Sequence, residues 1–414
     1  MNRSSALTAD LSLMRELNRA LVLQLIRREG RISRADIAKQ TQLSRSTVSS
    51  IITDLIEDRL VTETGIGTSK GGRRPIILEF NYQANYIIGI DVSRNSITGV
   101  ITDLNARVCA RQHIAFNVDD GPQVGLPVIK QLIGTMLKDS PVGRGRISAI
   151  GIGVPGPLDY RSGRTIAPPV MPGWDNVPIK DELHQTFQLP VSIDNDANLA
   201  AMAEYRWGAG IGAHNMVYVY LSSAGIGSGL IIDSHIYRGS IGSAGEIGHT
   251  TLSIDAAQGD SPSNAGTLET LASQPTLLRL AREQGIIQDH EGIDALLPLL
   301  DTSEARALLE QQAHYLGVAI AGIINILNPD LVVVGGVIPE TSPVFIEHIR
   351  ATVARRALEI AVHNTNIVAG KLGRNVAALG AAALATERLF APPALERPAT
   401  LGLHPNGMNQ TLSN

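Results

Sequence analysis

The chain has 414 residues, of which 44% are apolar and 18% charged, and its formal charge is −4. This length favours two or three folding units over one core. No apolar run reaches the roughly 18 residues that a membrane helix needs, no stretch has signal-peptide character, and Cys109 is the single cysteine, which excludes an intrachain disulfide. The sequence therefore predicts a cytoplasmic protein without membrane spans.

Charge is distributed unevenly along the chain. Residues 1–80 hold 13 Lys and Arg against 9 Asp and Glu, whereas the remainder is acidic. A basic head on an acidic body is typical of a DNA-binding domain fused to a domain that binds a small molecule.

The first segment is predicted to be a helix that ends at Gly30. Its apolar residues recur at spacings of three and four, which places them on one helical face. That face would consist of Met14, Leu17, Leu21 and Leu25.

Two further helices follow. Ser33 is predicted to cap the first of them, with Asp36 completing a capping box, and this helix runs to about Thr41. Ser44 is predicted to cap the next helix. Its apolar side would consist of Val48, Ile51, Ile52 and Leu55.

Two short helices joined by a tight turn are typical of a helix-turn-helix, whose second helix presents its polar face to the major groove. The segments LVTETGIG and RRPIILEF are predicted to be two strands around the loop SKGG, which together would form a cationic β-wing. A three-helix bundle that binds proteins is the alternative. The candidate DNA contacts are Arg34, Arg45, Ser46, Thr47, Ser49, Lys70, Arg73 and Arg74.

An α/β pattern begins at Tyr86. YIIGIDVS, SITGVITD and VCARQHIAF suggest a three-stranded meander, followed by a helix over about 123–138 and the strand SAIGIGVPG. MVYVYLSSAGIGSGLIID and LVVVGGV partly repeat this design, which predicts two related lobes. Helices at 304–328, 343–358 and 376–389 offer apolar surface for the core or for self-association. The predicted domains are 1–80, 81–390 and a poorly ordered, Pro-rich tail at 391–414.

Several motifs, in order, resemble those of the ROK family of repressors, open reading frames and sugar kinases. SRADIAKQTQLSRSTVSSIITDLI followed by GGRRP resembles the winged-helix head of ROK repressors, and GIGVPGPLD, DNDANLAA, GEIGH, GTLETLAS and NPDLVVVGG resemble successive motifs of the ROK domain. The resemblance implies an α/β fold: a winged helix-turn-helix joined to a two-lobed, actin-like ATPase domain of the ribonuclease H-like, sugar kinase type. Sugar would bind between the lobes.

A sugar site needs carboxylates and amides that pair with hydroxyls, and glycines that let the backbone approach. In the resembling kinases, the position of Asp196 is the general base. Other roles are open from the residues alone: Asp196 could cap a helix, Glu269 could be solvated, and His249 could be structural. The resemblance implies sugar contacts by Gly156, Asn195, Asp196, Glu246, His249 and Glu269.

The chain departs from the family at its phosphate loops. The kinase pattern Asp-x-Gly-Gly-Thr is replaced by the run Asp91 to Ser96, DVSRNS, and the pattern Thr-Gly-x-Gly by Ala224 to Gly227, AGIG. Side chains in place of glycines would obstruct a phosphate cradle. The sequence therefore predicts that the protein is not an enzyme, and that no catalytic residue operates.

A second departure concerns zinc. Many ROK proteins bind a structural zinc through a His and three Cys. The segment after His249 has no Cys, and Asp255 and Asp260 match such a site poorly. No metal and no cofactor are predicted.

These features predict a sugar-responsive DNA-binding regulator, a repressor that a sugar effector releases from its operator. The expected partners are operator DNA, a small sugar and a second copy, as a homodimer or homotetramer. An active ATP-dependent sugar kinase of the ROK family is the alternative, and an activator would use the same parts.

Overall fold

The computed structural model describes residues 3–66, 75–253 and 265–391. The chain forms two compact units, Met1–Asn81 with Phe390–Asn414, and Tyr82–Leu389. The boundaries between the units, after residues 81 and 389, lie one residue from the boundaries predicted after residues 80 and 390. Phe390 groups with the smaller unit because its ring packs edge-on against that of Phe80, with ring centroids 5.9 Å apart. The predicted tail beyond residue 391 lies outside the described residues.

Within the described residues, the smaller unit contains three helices and a three-stranded antiparallel sheet of order β1-β3-β2. The strand β1 was not predicted, whereas the three helices and the two wing strands were. The elements are α1 (Arg3–Glu29), β1 (Arg31–Ser33), α2 (Arg34–Thr41), α3 (Arg45–Glu57), β2 (Val61–Ile66) and β3 (Ile76–Phe80).

Serine caps set the ends of the two short helices, as predicted. Ser33 Oγ accepts the Asp36 amide at 3.2 Å and donates to Asp36 Oδ2 at 2.6 Å. Ser44 Oγ accepts the amide of Thr47 at 3.0 Å. Between the helices, Gln42 adopts a left-handed conformation with φ of 60°, which makes the turn tight. The expected helix-turn-helix geometry follows from these local interactions.

The predicted apolar face of α1 is partly wrong. Met14 and Leu21 are exposed, and the buried side of the helix is formed by Val22, Leu23, Leu25 and Ile26. Apolar residues cover more than one side of this helix, so spacing alone does not decide which side meets the core. The apolar stripe predicted for α3 is buried as expected.

The described part of the larger unit contains two five-stranded sheets and one two-stranded sheet. The first half consists of β4 (Tyr86–Val92), β5 (Ser96–Asp103), β6 (Val108–Ala115), α4 (Pro122–Lys138), β7 (Ile147–Val154), β8 (Leu158–Asp159), β9 (Arg164–Thr165), α5 (Ile179–Phe187) and β10 (Val191–Asn195). The connecting helix is α6 (Asp196–Trp207). The second half consists of β11 (Met216–Leu221), β12 (Ile226–Ile232), β13 (His235–Tyr237), α7 (Leu268–Ala272), α8 (Gln274–Glu283), α9 (Ile293–Leu296), α10 (Ser303–Leu327), β14 (Leu331–Gly335), α11 (Val337–Thr341), α12 (Pro343–Arg356), α13 (Glu359–Asn364), β15 (Asn366–Ala369) and α14 (Val376–Leu389).

The two sheets have the same topology. The first has the order β6-β5-β4-β7-β10, and the second the order β13-β12-β11-β14-β15. In each, an antiparallel meander of three strands is extended by two parallel strands. The predicted repeat of related lobes is confirmed.

Two helices lie between the sheets. The helix α14 packs on β4 and β7 of the first sheet, α6 packs on β11 and β12 of the second, and the two helices pack on each other. Gly380 makes this contact possible, since a Cβ there would overlap the carbonyl of Leu199 in α6. No helix of the described residues is long and apolar enough to span a membrane.

Candidate functional site

The predicted DNA-binding residues fall into three groups. Arg45, Ser46 and Ser49 are exposed on α3, and Thr47 is half-buried with its hydroxyl 2.8 Å from Ser44 Oγ. In the described part of the chain, the Arg45 guanidinium has no ion-pair partner. It is therefore available to a phosphate or a base.

Arg34 is constrained differently, because it pairs with Glu63 of β2 at 2.9 Å. This ion pair links α2 to the wing strand and reduces the availability of Arg34 for DNA. Lys70, Arg73 and Arg74 lie outside the described residues.

The six residues predicted to bind sugar line one pocket. They come from both halves of the larger unit: Gly156 follows β7, Asn195 and Asp196 lie where β10 meets α6, and Glu246 and His249 lie after β13. Glu269 belongs to α7. In open α/β sheets, ligands bind at the carboxyl ends of such parallel strands.

Asn195, and not Asp196, caps α6. Asn195 Oδ1 accepts the amides of Ala197 and Asn198 at 2.9 and 3.2 Å, and Asn195 Nδ2 donates to the Gly156 carbonyl at 3.3 Å. Asp196 Oδ1 accepts the same Ala197 amide at 2.8 Å. The Ala197 amide bonds to Oδ1, so Oδ2 is the carboxylate oxygen left to accept from a ligand.

Negative charge is concentrated here. Burial, followed by the charges of Asp91 and Glu246, raises the pKa of Asp196 well above its usual range. Burial also raises the pKa of Glu246, and the charge of Glu269 adds to this while His249 opposes it. Such a cluster is costly without a partner, because carboxylates repel one another away from water. A ligand that donates several hydrogen bonds would relieve that cost.

Glu269 is half-buried and packed against backbone, so it is not a freely solvated helix residue. Its Oε2 accepts the Ile226 amide at 3.1 Å. A Cβ at Gly225, whose φ is 150°, would lie 2.5 Å from Glu269 Oε2. His249 lies exposed at the rim of the pocket.

Tyr220 is a pocket residue that the sequence interpretation missed. It is buried in β11 and lines both this pocket and an adjoining cavity. Within the apolar run MVYVYL, nothing distinguishes it from a core residue. Pro155, Pro169, Val170 and Ser222 also line the pocket and were missed.

The adjoining cavity has a volume of about 310 Å³ and lies beside the altered first phosphate loop. There the Ser93 amide donates to the Ser96 carbonyl at 2.9 Å, and Ser93 Oγ donates to Asp91 Oδ2 at 3.1 Å. Asp91 Oδ1 has no partner within the described residues. Burial raises the pKa of Asp91 to about 6.

Among the described residues, no group of three His, Cys, Asp or Glu is arranged to hold a metal ion. Asp255 and Asp260 lie outside these residues. The absence of zinc remains a prediction from the lack of Cys ligands.

Comparisons with known proteins assign both units. A winged helix-turn-helix DNA-binding model matches residues 17–62, and a ROK family model matches residues 87–388. The xylose repressor of Bacillus spizizenii is 33% identical over 385 residues, covering 92% of this chain and 98% of that protein. A glucokinase of Halalkalibacterium halodurans is 31% identical over 313 residues, covering 71% of this chain and 93% of that protein.

The fold also matches a solved structure. The crystal structure of a ROK family transcriptional regulator, a homologue of the Escherichia coli MLC protein, superposes with a TM-score of 0.78 at 24% identity. The match covers 92% of this chain and 98% of that one. The predicted fold class is confirmed over both units.

Proposed function

The chain belongs to the ROK family, and we propose that it is a transcriptional repressor that a neutral sugar releases from its operator. One observation carries the proposal: a pocket lined by carboxylates and amides from both lobes lies in a chain whose other unit is a winged helix-turn-helix. The first provides hydroxyl recognition and the second provides DNA recognition.

The charge of the pocket favours a neutral sugar over a sugar phosphate. Asp196, Glu246 and Glu269 all line it, and a phosphate brought among them would be repelled. Hydroxyl groups, in contrast, can donate hydrogen bonds to the free Oδ2 of Asp196 and so stabilise its negative charge. The name of the Bacillus spizizenii relative makes xylose the first sugar to test.

We further propose that the protein does not phosphorylate this sugar. Ser93 and Arg94 stand where a kinase of this type has glycines, and Asn95 stands where it has threonine. These residues lie in a closed turn, and Arg94 pairs with Asp119 at 3.2 Å. Side chains at these positions restrict the approach of backbone amides to phosphate. The first phosphate loop lacks the glycines of the kinase pattern, and the segment after His249 has no Cys for the family zinc, so no step is assigned to a nucleotide or to zinc.

In the proposed switch, sugar shifts the equilibrium between two arrangements of the lobes. The ligand can do so only by binding one arrangement more tightly than the other. The working state would be a cytoplasmic homodimer or homotetramer whose paired heads bind a two-fold operator, because such symmetry matches two half-sites.

The proposal predicts that xylose, or another neutral sugar, weakens operator binding by at least about tenfold at constant salt. Fluorescence anisotropy with a DNA duplex selected by the protein from a random pool measures this. The panel contains xylose, glucose, N-acetylglucosamine and glucose 6-phosphate, and the phosphate is expected to have no effect. If no neutral sugar changes operator affinity, the proposed function is wrong.

A second prediction concerns the DNA-binding face. Arg45→Ala is expected to weaken operator binding about 10- to 100-fold, since each lost arginine contact to DNA costs about 1–3 kcal/mol. Arg356→Ala removes the same charge from an exposed site of the larger unit and is expected to bind as the wild type does. Equal effects of the two substitutions would show that only net charge matters and would argue against α3 as the reading helix.

A further inference from the structure

An ion pair joins the two halves of the larger unit beside the sugar pocket. Asp194 lies in β10 of the first sheet, and Arg238 directly follows β13 of the second. Arg238 Nε and Nη2 donate to Asp194 Oδ2 at 2.7 and 2.6 Å. The Arg238 side chain is 16% exposed and the Asp194 side chain 3% exposed, so solvent ions screen this pair weakly.

Other contacts hold both side chains in place. Asp194 Oδ1 accepts the Asn195 amide at 2.8 Å and Asn198 Nδ2 at 3.1 Å. The Arg238 guanidinium lies 4.9 Å from the centroid of the Tyr160 ring, a favourable cation–π distance. One carboxylate therefore receives hydrogen bonds from β10, from α6 and from the opposite half of the unit.

Each residue of the pair is close in the chain to one wall of the pocket. Asp194 immediately precedes Asn195 and Asp196 in the chain. Arg238 begins the loop that leads to Glu246: its carbonyl accepts the Ala244 amide at 3.3 Å. The Gly245 carbonyl then accepts Ser228 Oγ at 2.8 Å, which fixes the far end of the loop to β12.

We propose that Asp194 and Arg238 are a positioning pair, which sets the distance between the two walls of the sugar pocket. Neither residue lines that pocket, so the pair acts through Asn195 and Asp196 on one side and through Glu246 on the other. The inference rests on the proposed function, because it concerns the same sugar site.

Three variants test the pair in the full-length protein. Arg238→Met keeps the stem that packs near Tyr160 and removes both donors, whereas Arg238→Lys keeps the charge but loses the paired donors. The double variant Asp194→Asn, Arg238→Met removes both charges. The control is Arg206→Met, which breaks a half-exposed ion pair between α6 and α14, Arg206 with Glu387.

Sugar affinity by calorimetry is expected to fall at least about tenfold in Arg238→Met and less in Arg238→Lys, while Arg206→Met stays near the wild type. Arg238→Met leaves a buried carboxylate unpaired and should also lower the melting temperature. The double variant should regain that thermal stability without regaining sugar affinity. If it regains both, or if Arg238→Met binds sugar normally, the pair is only structural and the proposal is overturned.

Amide hydrogen exchange in sugar-free protein separates this inference from the proposed function. Residues 238–249 are expected to exchange faster in Arg238→Met than in Arg206→Met, because one anchor of the loop is lost. If wild-type protein binds no sugar of the panel, the proposed function fails, and exchange alone decides whether the pair positions the loop. Unchanged exchange in that segment would overturn the positioning role.

Discussion

Asp196→Asn is expected to lower the affinity for the effector sugar by about 100-fold and to leave sugar-free operator binding intact. Asparagine keeps the Oδ1 that accepts the Ala197 amide but places an NH₂ donor where the free carboxylate oxygen lies. A hydrogen bond to a charged group is worth about 1.5–3 kcal/mol. In the variant, the NH₂ group of the asparagine would face a sugar hydroxyl that also donates, so this hydrogen bond is lost. The variant would therefore be a repressor that sugar no longer releases.

The same substitution is expected to raise the melting temperature of the sugar-free protein. It removes one of the charges that repel each other around Asp91 and Glu246. Binding sites commonly retain such unfavourable groups because ligand affinity depends on them. Calorimetric titration with sugar and thermal unfolding without it, on one preparation, measure both effects. If Asp196→Asn is more stable than the wild type but binds sugar less tightly, the Asp196 carboxylate serves sugar binding and not stability.

Asp91→Asn is the matched control, since it removes a buried carboxylate from the adjoining cavity and not from the sugar pocket. It removes no group that lines the sugar pocket, so any loss of sugar affinity should be far smaller than that of Asp196→Asn. Normal sugar binding by Asp196→Asn would instead show that Asp196 serves only the start of α6. A coupled assay for ADP release addresses the rival function: sugar-dependent turnover by the wild type that Asp196→Asn abolishes would establish a kinase.

Local rules predicted the elements of this fold well where one interaction dominates. The serine caps of α2 and α3 bond as expected because the first amides of a helix need an acceptor. In α1 the same approach misplaced Met14 and Leu21, because tertiary packing, and not spacing, selects among several apolar sides. The short strand β1 carries no pattern of its own and exists through its pairing with β3.

In the pocket, too, some residues could be predicted from the sequence and others could not. Motif resemblance identified residues as far apart as Gly156 and Glu269, and the repeated sheet topology brings them together. Tyr220 was missed because, in the sequence, an aromatic residue within a buried strand cannot be distinguished from a residue of the hydrophobic core. The contact of Asp194 with Arg238 could not be predicted, since only the packing of the two sheets makes these residues neighbours.

Asp91→Asn is expected to stabilise the protein at pH 8 by up to about 3 kcal/mol. Burial raises the pKa of Asp91 to about 6, above the ordinary aspartate value of 3.8, so the folded state holds a proton that the unfolded chain releases first. Each unit of pKa difference corresponds to about 1.4 kcal/mol. The stabilising contribution of this proton is complete below the unfolded pKa and is lost as the pH rises through 6.

Asparagine resembles the protonated acid in shape and charge, so the advantage of the variant should be smaller at low pH. At pH 5, roughly half of the difference should remain. Denaturant unfolding of both proteins between pH 5 and pH 8 measures this. Asp330→Asn is the control of opposite sign. Asp330 accepts hydrogen bonds from the amides of Asn215 and His214, which lower its pKa. Removing this carboxylate should therefore destabilise the protein at neutral pH. A pH-independent difference between wild type and Asp91→Asn would show that Asp91 is ionised throughout, and that the adjoining cavity tolerates a buried charge.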